Sequence, residues 1–279
     1  MIFVTGATGN VGAELVGALT AAGEPVRALV RDEHRQLPDG VERFVGDLNE
    51  PETLAPALEG AHGMFLLAGY RDLPGLLERA RESGVERVVL LSGGAAVASN
   101  LDNPISRYML DSEDAVRGSR LSWTILRPCA FMSNAFRWLP ELHAGDVITA
   151  PFAEVSVAAI DPYDIARVAA AALASDEHGG KAYRLSGPES LLPADQVRVL
   201  GEVLDRPLRL RAQSDDEARA EMTAQMPAAY VEAFFQFSVD GTLDESVVLP
   251  TVEAVTGSGP RTFRAWAHVH ADAFRAPQG

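Results

Sequence analysis

Along the first half of the chain, short apolar, β-branched runs alternate with longer stretches whose apolar positions recur at helical spacing. Residues 2–5, 25–30, 41–45, 63–67, 87–91 and 122–126 read as strands. They lack the apolar–polar alternation of a half-exposed strand, as expected where helices cover both faces of a sheet. A helix is predicted over 13–22, with Leu15, Val16, Ala18 and Leu19 on one side and Gly23 as its stop. A second covers 73–83 and closes at Gly84, and a third opens at Asn103-Pro104 and runs to Gly118. Asn49 with Glu52 three residues on has a capping-box pattern, and Pro51 suits an early helical position, so a helix is predicted from there to Gly60. Alternating strand and helix periods predict a parallel sheet covered by helices on both faces, an α/β fold.

The pattern changes past residue 150. Residues 155–160 read as a strand, Asp161-Pro162 as the N-cap and first position of a helix through Ile165–Leu173, and 181–185 as a further strand. From Pro193 onward helices dominate: 194–204, 215–226, 228–237 and a single amphipathic helix over 262–274, with a short alternating strand at 207–211. The expected organisation is a nucleotide-binding domain over 1–150, completed by the strand and helix of 155–187. A smaller, mostly helical substrate or lid region follows over 188–279.

The candidate chemistry starts at Gly6-Ala-Thr-Gly-Asn-Val-Gly12, between the first strand and the first helix. A strand, a glycine-rich turn and a helix N-terminus present backbone N–H groups to an anion, and missing side chains let a diphosphate approach. The second strand ends in Arg31-Asp32-Glu33. An arginine there accommodates the 2′-phosphate of NADP and an acid favours the free hydroxyl of NAD; Arg31 comes first, so NADP(H) is expected over NAD(H). Asp47 ends the third strand and reads either as a contact to the adenine edge or as a turn aspartate. Ser92 ends the fifth, as a ligand contact or a satisfied turn serine. Phe131, Met132, Phe136 and Trp138 follow the sixth, as a pocket wall or as core beneath a loop.

Composition narrows the partners. The 279 residues are 47% apolar, which makes the chain globular, and the net charge of −15 argues against nucleic acid and an anionic membrane surface. Cys129 is the sole cysteine, so neither an intrachain disulfide nor a thiolate zinc site can form. No histidine pair has metal-ligand spacing, and no metal is expected. No apolar run approaches the roughly 20 residues of a membrane span, and a cytoplasmic location is the expectation.

These motifs together resemble the NmrA-like branch of the atypical short-chain dehydrogenase/reductases. The resemblance rests on Val4–Gly12, Val26–Arg31, Gly46-Asp47, Gly84–Ser92, Trp123–Pro128 with Phe131–Asn134, Asp161–Ala166 and the closing stretch Gly257–Phe274. It implies a Rossmann domain, a C-terminal substrate domain and NAD(P) between them. By position, Gly6, Thr8, Gly9, Asn10, Val11 and Gly12 would surround the pyrophosphate and Arg31 the 2′-phosphate. Pro128 and Phe131 would border the nicotinamide, and Asp47, Leu48, Leu67, Ala68 and Ser92 complete the cofactor set. Phe131, Met132, Asn134, Phe136 and Trp138 are the expected substrate residues.

The chain departs from the usual short-chain dehydrogenase in one respect. A Tyr-x-x-x-Lys pair, in which the lysine lowers the tyrosine's pKa, occurs nowhere: Tyr108 is followed at that spacing by Ser112 and Tyr163 by Arg167, and Lys181 is the sole lysine. Three readings follow. A hydride passes to an electron-poor acceptor that needs little help from an acid; Tyr108 or Ser92 acts as a lone proton donor; or the site binds NAD(P) without turnover. The expected function is an NAD(P)H-dependent oxidoreductase of a conjugated or aromatic small molecule, quinone- or enone-like. The alternative is a non-catalytic NAD(P)-sensing regulatory protein of the NmrA type. A homodimer is compatible with the sequence but not specified by it.

Overall fold

The computed structural model describes residues 1–275, and at Pro51 and Glu52 the backbone alone. Strands β1 (Ile2–Val4), β2 (Val26–Val30), β3 (Glu42–Val45), β4 (Gly63–Leu67), β5 (Arg87–Leu91), β6 (Ser122–Pro128) and, later in the chain, Lys181–Leu185 form one sheet. Every pairing in it is parallel. Helix α1 (Asn10–Ala21) follows β1, α2 (Ala55–Leu58) follows β3, α3 (Leu73–Glu82) follows β4 and α4 (Pro104–Gly118) follows β5. Beyond β6 come α5 (Leu139–Ala144), β7 (Val147–Ala150) and α6 (Pro162–Ala174), and the last sheet strand, Lys181–Leu185, is β8. The strand order is β3-β2-β1-β4-β5-β6-β8, so the winding reverses between β1 and β4. Parallel strands need crossover connections, and these put α1 and α6 on one face and α2, α3 and α4 on the other. Two cores result: Leu15, Val16, Ile165, Val168 and Ala169 pack over one face, and Leu54, Leu58, Leu76, Leu77 and Val116 over the other.

The remainder contains α7 (Pro193–Leu204), β9 (Arg209–Ala212), α8 (Asp215–Gln225), α9 (Ala228–Ser238), α10 (Thr251–Thr256), α11 (Phe263–Val269) and α12 (Ala271–Phe274). β7 and β9 pair in parallel as a separate two-stranded sheet. Trp138, Leu142, Ile148, Leu200, Phe263, Trp266 and Phe274 form a third core, so the stretch after β6 shares its interior with the C-terminal helices. The Asp161 carboxylate caps α6 through the Tyr163 N–H at 2.9 Å. Buried Asp164 accepts the Arg261 N–H at 2.7 Å, which ties the closing stretch to that helix.

Three elements differ from the sequence expectation. Residues 155–160 are not a strand. Their backbone groups bond one at a time to separate segments: Val157 with Leu191, the Ala158 N–H to the Glu245 carbonyl, and the Ile160 N–H to the Ala130 carbonyl. A segment threaded between three neighbours satisfies its polar groups without a continuous ladder. Asn49 does not cap a helix: a 3-10 turn over Pro51–Leu54 starts there with Glu50 at the cap, and the Asn49 side chain donates to Asp47 at 3.1 Å. The Glu52 half of the expected capping box lies outside the described side chains. The helix expected over 262–274 breaks at His270, where ψ is 11° and the ring sits 5.0 Å from that of Trp266.

Trp266 is 1% exposed and touches the rings of Phe136, Phe263 and Phe274. Trp266→Ala is expected to cost about 3–5 kcal/mol of unfolding free energy, read from urea denaturation.

Candidate active site

The turn leaving β1 is built for close backbone approach. Gly6 has φ of +60°, and its carbonyl accepts the Gly9 N–H at 2.8 Å. A Cβ on Gly12 would stand 2.1 Å from the Gly6 carbonyl oxygen, and one on Gly6 would stand 2.6 Å from the Leu67 side chain. The turn therefore closes against itself and against the exit of β4. Gly9 is the N-cap of α1 and supplies no side chain to its first N–H groups, and the first turn carries no acid. Thr8, Gly9 and Asn10 are exposed, while Val11 sends its side chain into the core and leaves only its backbone to the turn. An uncapped, solvent-open helix start at the reversal of the strand order fits a dinucleotide diphosphate.

At the end of β2, the exposed Arg31 guanidinium has no carboxylate partner among the described residues. Asp32 is turned away into its own loop, accepting the His34 N–H at 2.9 Å. Asp47 accepts the Asn49 N–H at 2.8 Å and remains exposed, whereas the Leu48 side chain is buried beside Leu54 and Leu58. Tyr70 lies within the fields of both Arg31 and Asp47. Burial raises its phenol above the ordinary value, Arg31 pulls it down and Asp47 pushes it up.

At the exit of β4 a cleft of about 730 Å³ opens, lined by Ala68, Gly69, Tyr70, Tyr108, Ser112 and Tyr230 among others. The Tyr108 ring covers Gly69, whose φ of +94° and 3.0 Å clearance leave no room for a side chain. Ser112 donates to the Tyr108 carbonyl at 2.8 Å and accepts the Gly69 N–H at 3.0 Å, so it clamps the loop and does not touch the phenol. Burial, with a smaller contribution from Tyr230, raises the Tyr108 phenol above its ordinary value.

Ser92 is buried and its hydroxyl donates to Glu113 at 2.7 Å. The fully buried Glu113 also receives Arg127 at 2.8 and 2.5 Å and Arg117 at 2.7 Å. Burial alone would raise this carboxyl, but the bonds from Arg127, Ser92 and Arg117 outweigh it and hold it below the ordinary range. The Ser92 proton is thus engaged in a network joining β5, α4 and β6.

The aromatic residues after β6 divide by the three-residue period of a 3-10 turn over Met132–Trp138. Met132, Ala135 and Trp138 point into the third core. Phe136 packs 5.2 Å from Trp266 and 5.2 Å from Phe274. Met132 and Trp138 are thus part of this core and Phe136 packs against it. Asn134 is exposed, and half-buried Phe131 packs against the α1 and α6 side. Pro128 is buried at the exit of β6. The cleft residues that sequence reasoning missed are Tyr70 and Tyr230. Tyr230 reaches the cleft from α9 and carries no local motif.

Residues 6–176 match the NAD(P)H-binding family. The chain belongs to that family. Over its full length it is 39% identical to a (4-alkanoyl-5-oxo-2,5-dihydrofuran-3-yl)methyl phosphate reductase of Streptomyces griseus, all of which is covered. It is 34% identical to an NAD(P)H azoreductase of Xenophilus azovorans, over 99% of this chain and all of the relative. The triphenylmethane reductase of Citrobacter sp., solved with NADP(H), superposes with a TM-score of 0.78 at 23% identity, over 97% of this chain and all of the other. Family, fold and full-length kinship with reductases make this chain an NAD(P)H-dependent reductase of the atypical short-chain type. No helix among the described residues is long and apolar enough to cross a membrane.

Removing Glu113 strands Arg127 in a low-dielectric site, so Glu113→Ala is expected to cost about 3–5 kcal/mol in denaturant unfolding. The Glu113 bonds stabilise the fold above the ordinary carboxylate pKa and are lost as pH falls through the depressed folded value. The wild type should therefore lose stability on acidification more steeply than Glu113→Gln does.

Proposed function

We propose that the chain catalyses NADPH-dependent reduction of a conjugated, electron-poor small molecule, a quinone or an α,β-unsaturated carbonyl, in the cleft beside Ala68 and Gly69. The observation that carries this reading is the continuity of that cleft with the glycine turn. Leu67 touches Gly6, and the next residues, Ala68 and Gly69, begin a tyrosine-walled space of about 730 Å³. The bound reduced nicotinamide would supply the hydride. The chain's own part is to hold the acceptor flat between tyrosines, exclude water and keep the Tyr108 phenol protonated as a hydrogen-bond donor.

Acceptor chemistry explains the missing Tyr-x-x-x-Lys pair. The substrate named for the Streptomyces relative has a ring double bond conjugated to both a lactone carbonyl and an alkanoyl group. Hydride addition to such a bond leaves a charge shared by two carbonyls, which needs no strongly activated tyrosine. The unpaired Arg31 beside a diverted Asp32 supports a 2′-phosphate and so NADPH over NADH.

The test is loss of reduced-nicotinamide absorbance with menadione and a 2-acylbut-2-enolide as acceptors. Oxidation of NADPH by at least one acceptor is expected; cofactor binding with neither oxidised would favour the sensing role. Arg31→Ala should weaken NADPH binding by about tenfold or more while sparing NADH, read by thermal shift against cofactor concentration. An unchanged preference would remove Arg31 from the cofactor site.

A further inference from the structure

Residues 239–250 form an irregular strap after α9. The Ser99 N–H bonds to the Thr242 carbonyl at 2.8 Å, the Ala158 N–H to the Glu245 carbonyl at 2.7 Å, and the Leu249 N–H to the Ser186 hydroxyl at 2.8 Å. Arg184 holds the Asp244 carbonyl at 3.2 Å. These anchors carry the strap from the segment after β5, past the exit of β6, to the end of β8. That path lies along the carboxyl edge of the sheet, where ligands of parallel sheets bind.

The Glu245 side chain turns inward from this strap. Its Oε1 lies 2.8 Å from where a Cβ on Gly94 would be, and the Pro128 carbonyl lies 3.4 Å from the same point. The Ala130 backbone hydrogen-bonds its carboxyl group. Gly94 stands two residues beyond Ser92, and Pro128 and Phe131 are the residues expected to border the nicotinamide. The carboxyl is therefore wedged between the exits of β5 and β6. Burial raises it from 4.5 to about 7, and the Ala130 bond and the charge of Arg184 offset this only in part. The other groups facing it are Cys129, raised by burial to about 12 and so a thiol, and Asp244 on the strap, held below its ordinary value by Ser246. Glu245 forms no ion pair among the described residues. The other hydroxyls are less suited to proton transfer: Ser92 is bound to Glu113, and Tyr108 is raised above the ordinary phenol range.

We propose that Glu245 is the proton donor of the reduction, delivering to the acceptor the proton that accompanies the hydride. This rests on the reductase reading above. A hydride forms a new C–H bond at the β-carbon of the acceptor, whose π pair moves onto the α-carbon and carbonyl oxygen. That enolate takes the proton from the Glu245 carboxyl, whose O–H bond breaks. Solvent reprotonates the carboxylate. The acceptor gains two electrons and two hydrogens, and the cofactor is oxidised.

The test compares Glu245→Gln, Glu245→Asp and Tyr108→Phe in the full chain with NADPH, menadione and a 2-acylbut-2-enolide. The wild-type kcat/KM should be flat in acid and fall as pH rises through about 7. Glu245→Gln should lower kcat about 100-fold, leave KM and NADPH affinity near wild type, and abolish that alkaline limb. Glu245→Asp should keep the limb, and Tyr108→Phe should raise KM while keeping it. A readout independent of turnover is the infrared carbonyl stretch of a protonated carboxyl in the cofactor-free protein. It should disappear with a midpoint near 7 in the wild type and be missing from Glu245→Gln. Its folding counterpart has the sign of an acid with a raised folded pKa: stability is complete below the ordinary carboxylate value and falls as pH rises through about 7. A Gln variant with the wild-type rate and limb, or a carboxyl titrating in the ordinary acid range, overturns the assignment. If the wild type oxidises NADPH with neither acceptor, the reductase reading fails and the donor role falls with it. If it oxidises NADPH and the limb survives in Glu245→Gln, the donor role alone fails.

Discussion

The molecule depends on a backbone that folds onto itself between β1 and α1. The Gly6 carbonyl stands where a Cβ on Gly12 would be, and the Leu67 side chain stands where a Cβ on Gly6 would be. Steric necessity at these two positions brings three things together: the uncapped start of α1, the reversal of strand order and the exit of β4. An anion can then lie on N–H groups that no side chain occupies, with a cleft beginning at Ala68, the residue after Leu67. Neither the sheet nor the helix alone would supply that adjacency.

The second constraint is electrostatic. Glu113 is fully buried in a chain of net charge −15, and it is tolerated because Arg127, Arg117 and Ser92 satisfy it. Breaking such a pair costs more than forming it gains, so the network serves to lock α4 against the exits of β5 and β6. It also holds the Ser92 hydroxyl on Glu113. The strap bearing Glu245 reaches the same exits at Gly94 and Pro128.

Sequence reasoning read the Rossmann half well, because each of its elements is written locally. The unbroken apolar runs marked β4 and β5, Asn103 and Asp161 marked helix starts, and the glycines marked the turn. It erred where tertiary partners decide. Residues 155–160 have strand composition, yet three different segments claim their hydrogen bonds. His270 interrupts an amphipathic pattern at a ring-packed bend. The packing of Phe136 and Trp138 with Trp266 and Phe274, more than a hundred residues away, is equally beyond a local reading. Tyr230 was illegible for the same reason, since it lines the cleft through what it faces and not through what flanks it.

In the proposed reaction a hydride leaves a cofactor seated on the Gly6–Gly12 turn and reaches an acceptor in the adjoining cleft. The most direct measurement is single-turnover mass spectrometry with NADPH deuterated separately on each face of the nicotinamide C4. The account predicts that the label from one face only appears on carbon in the reduced 2-acylbut-2-enolide. Tight NADPH binding with no deuterium in the product from either face would contradict it.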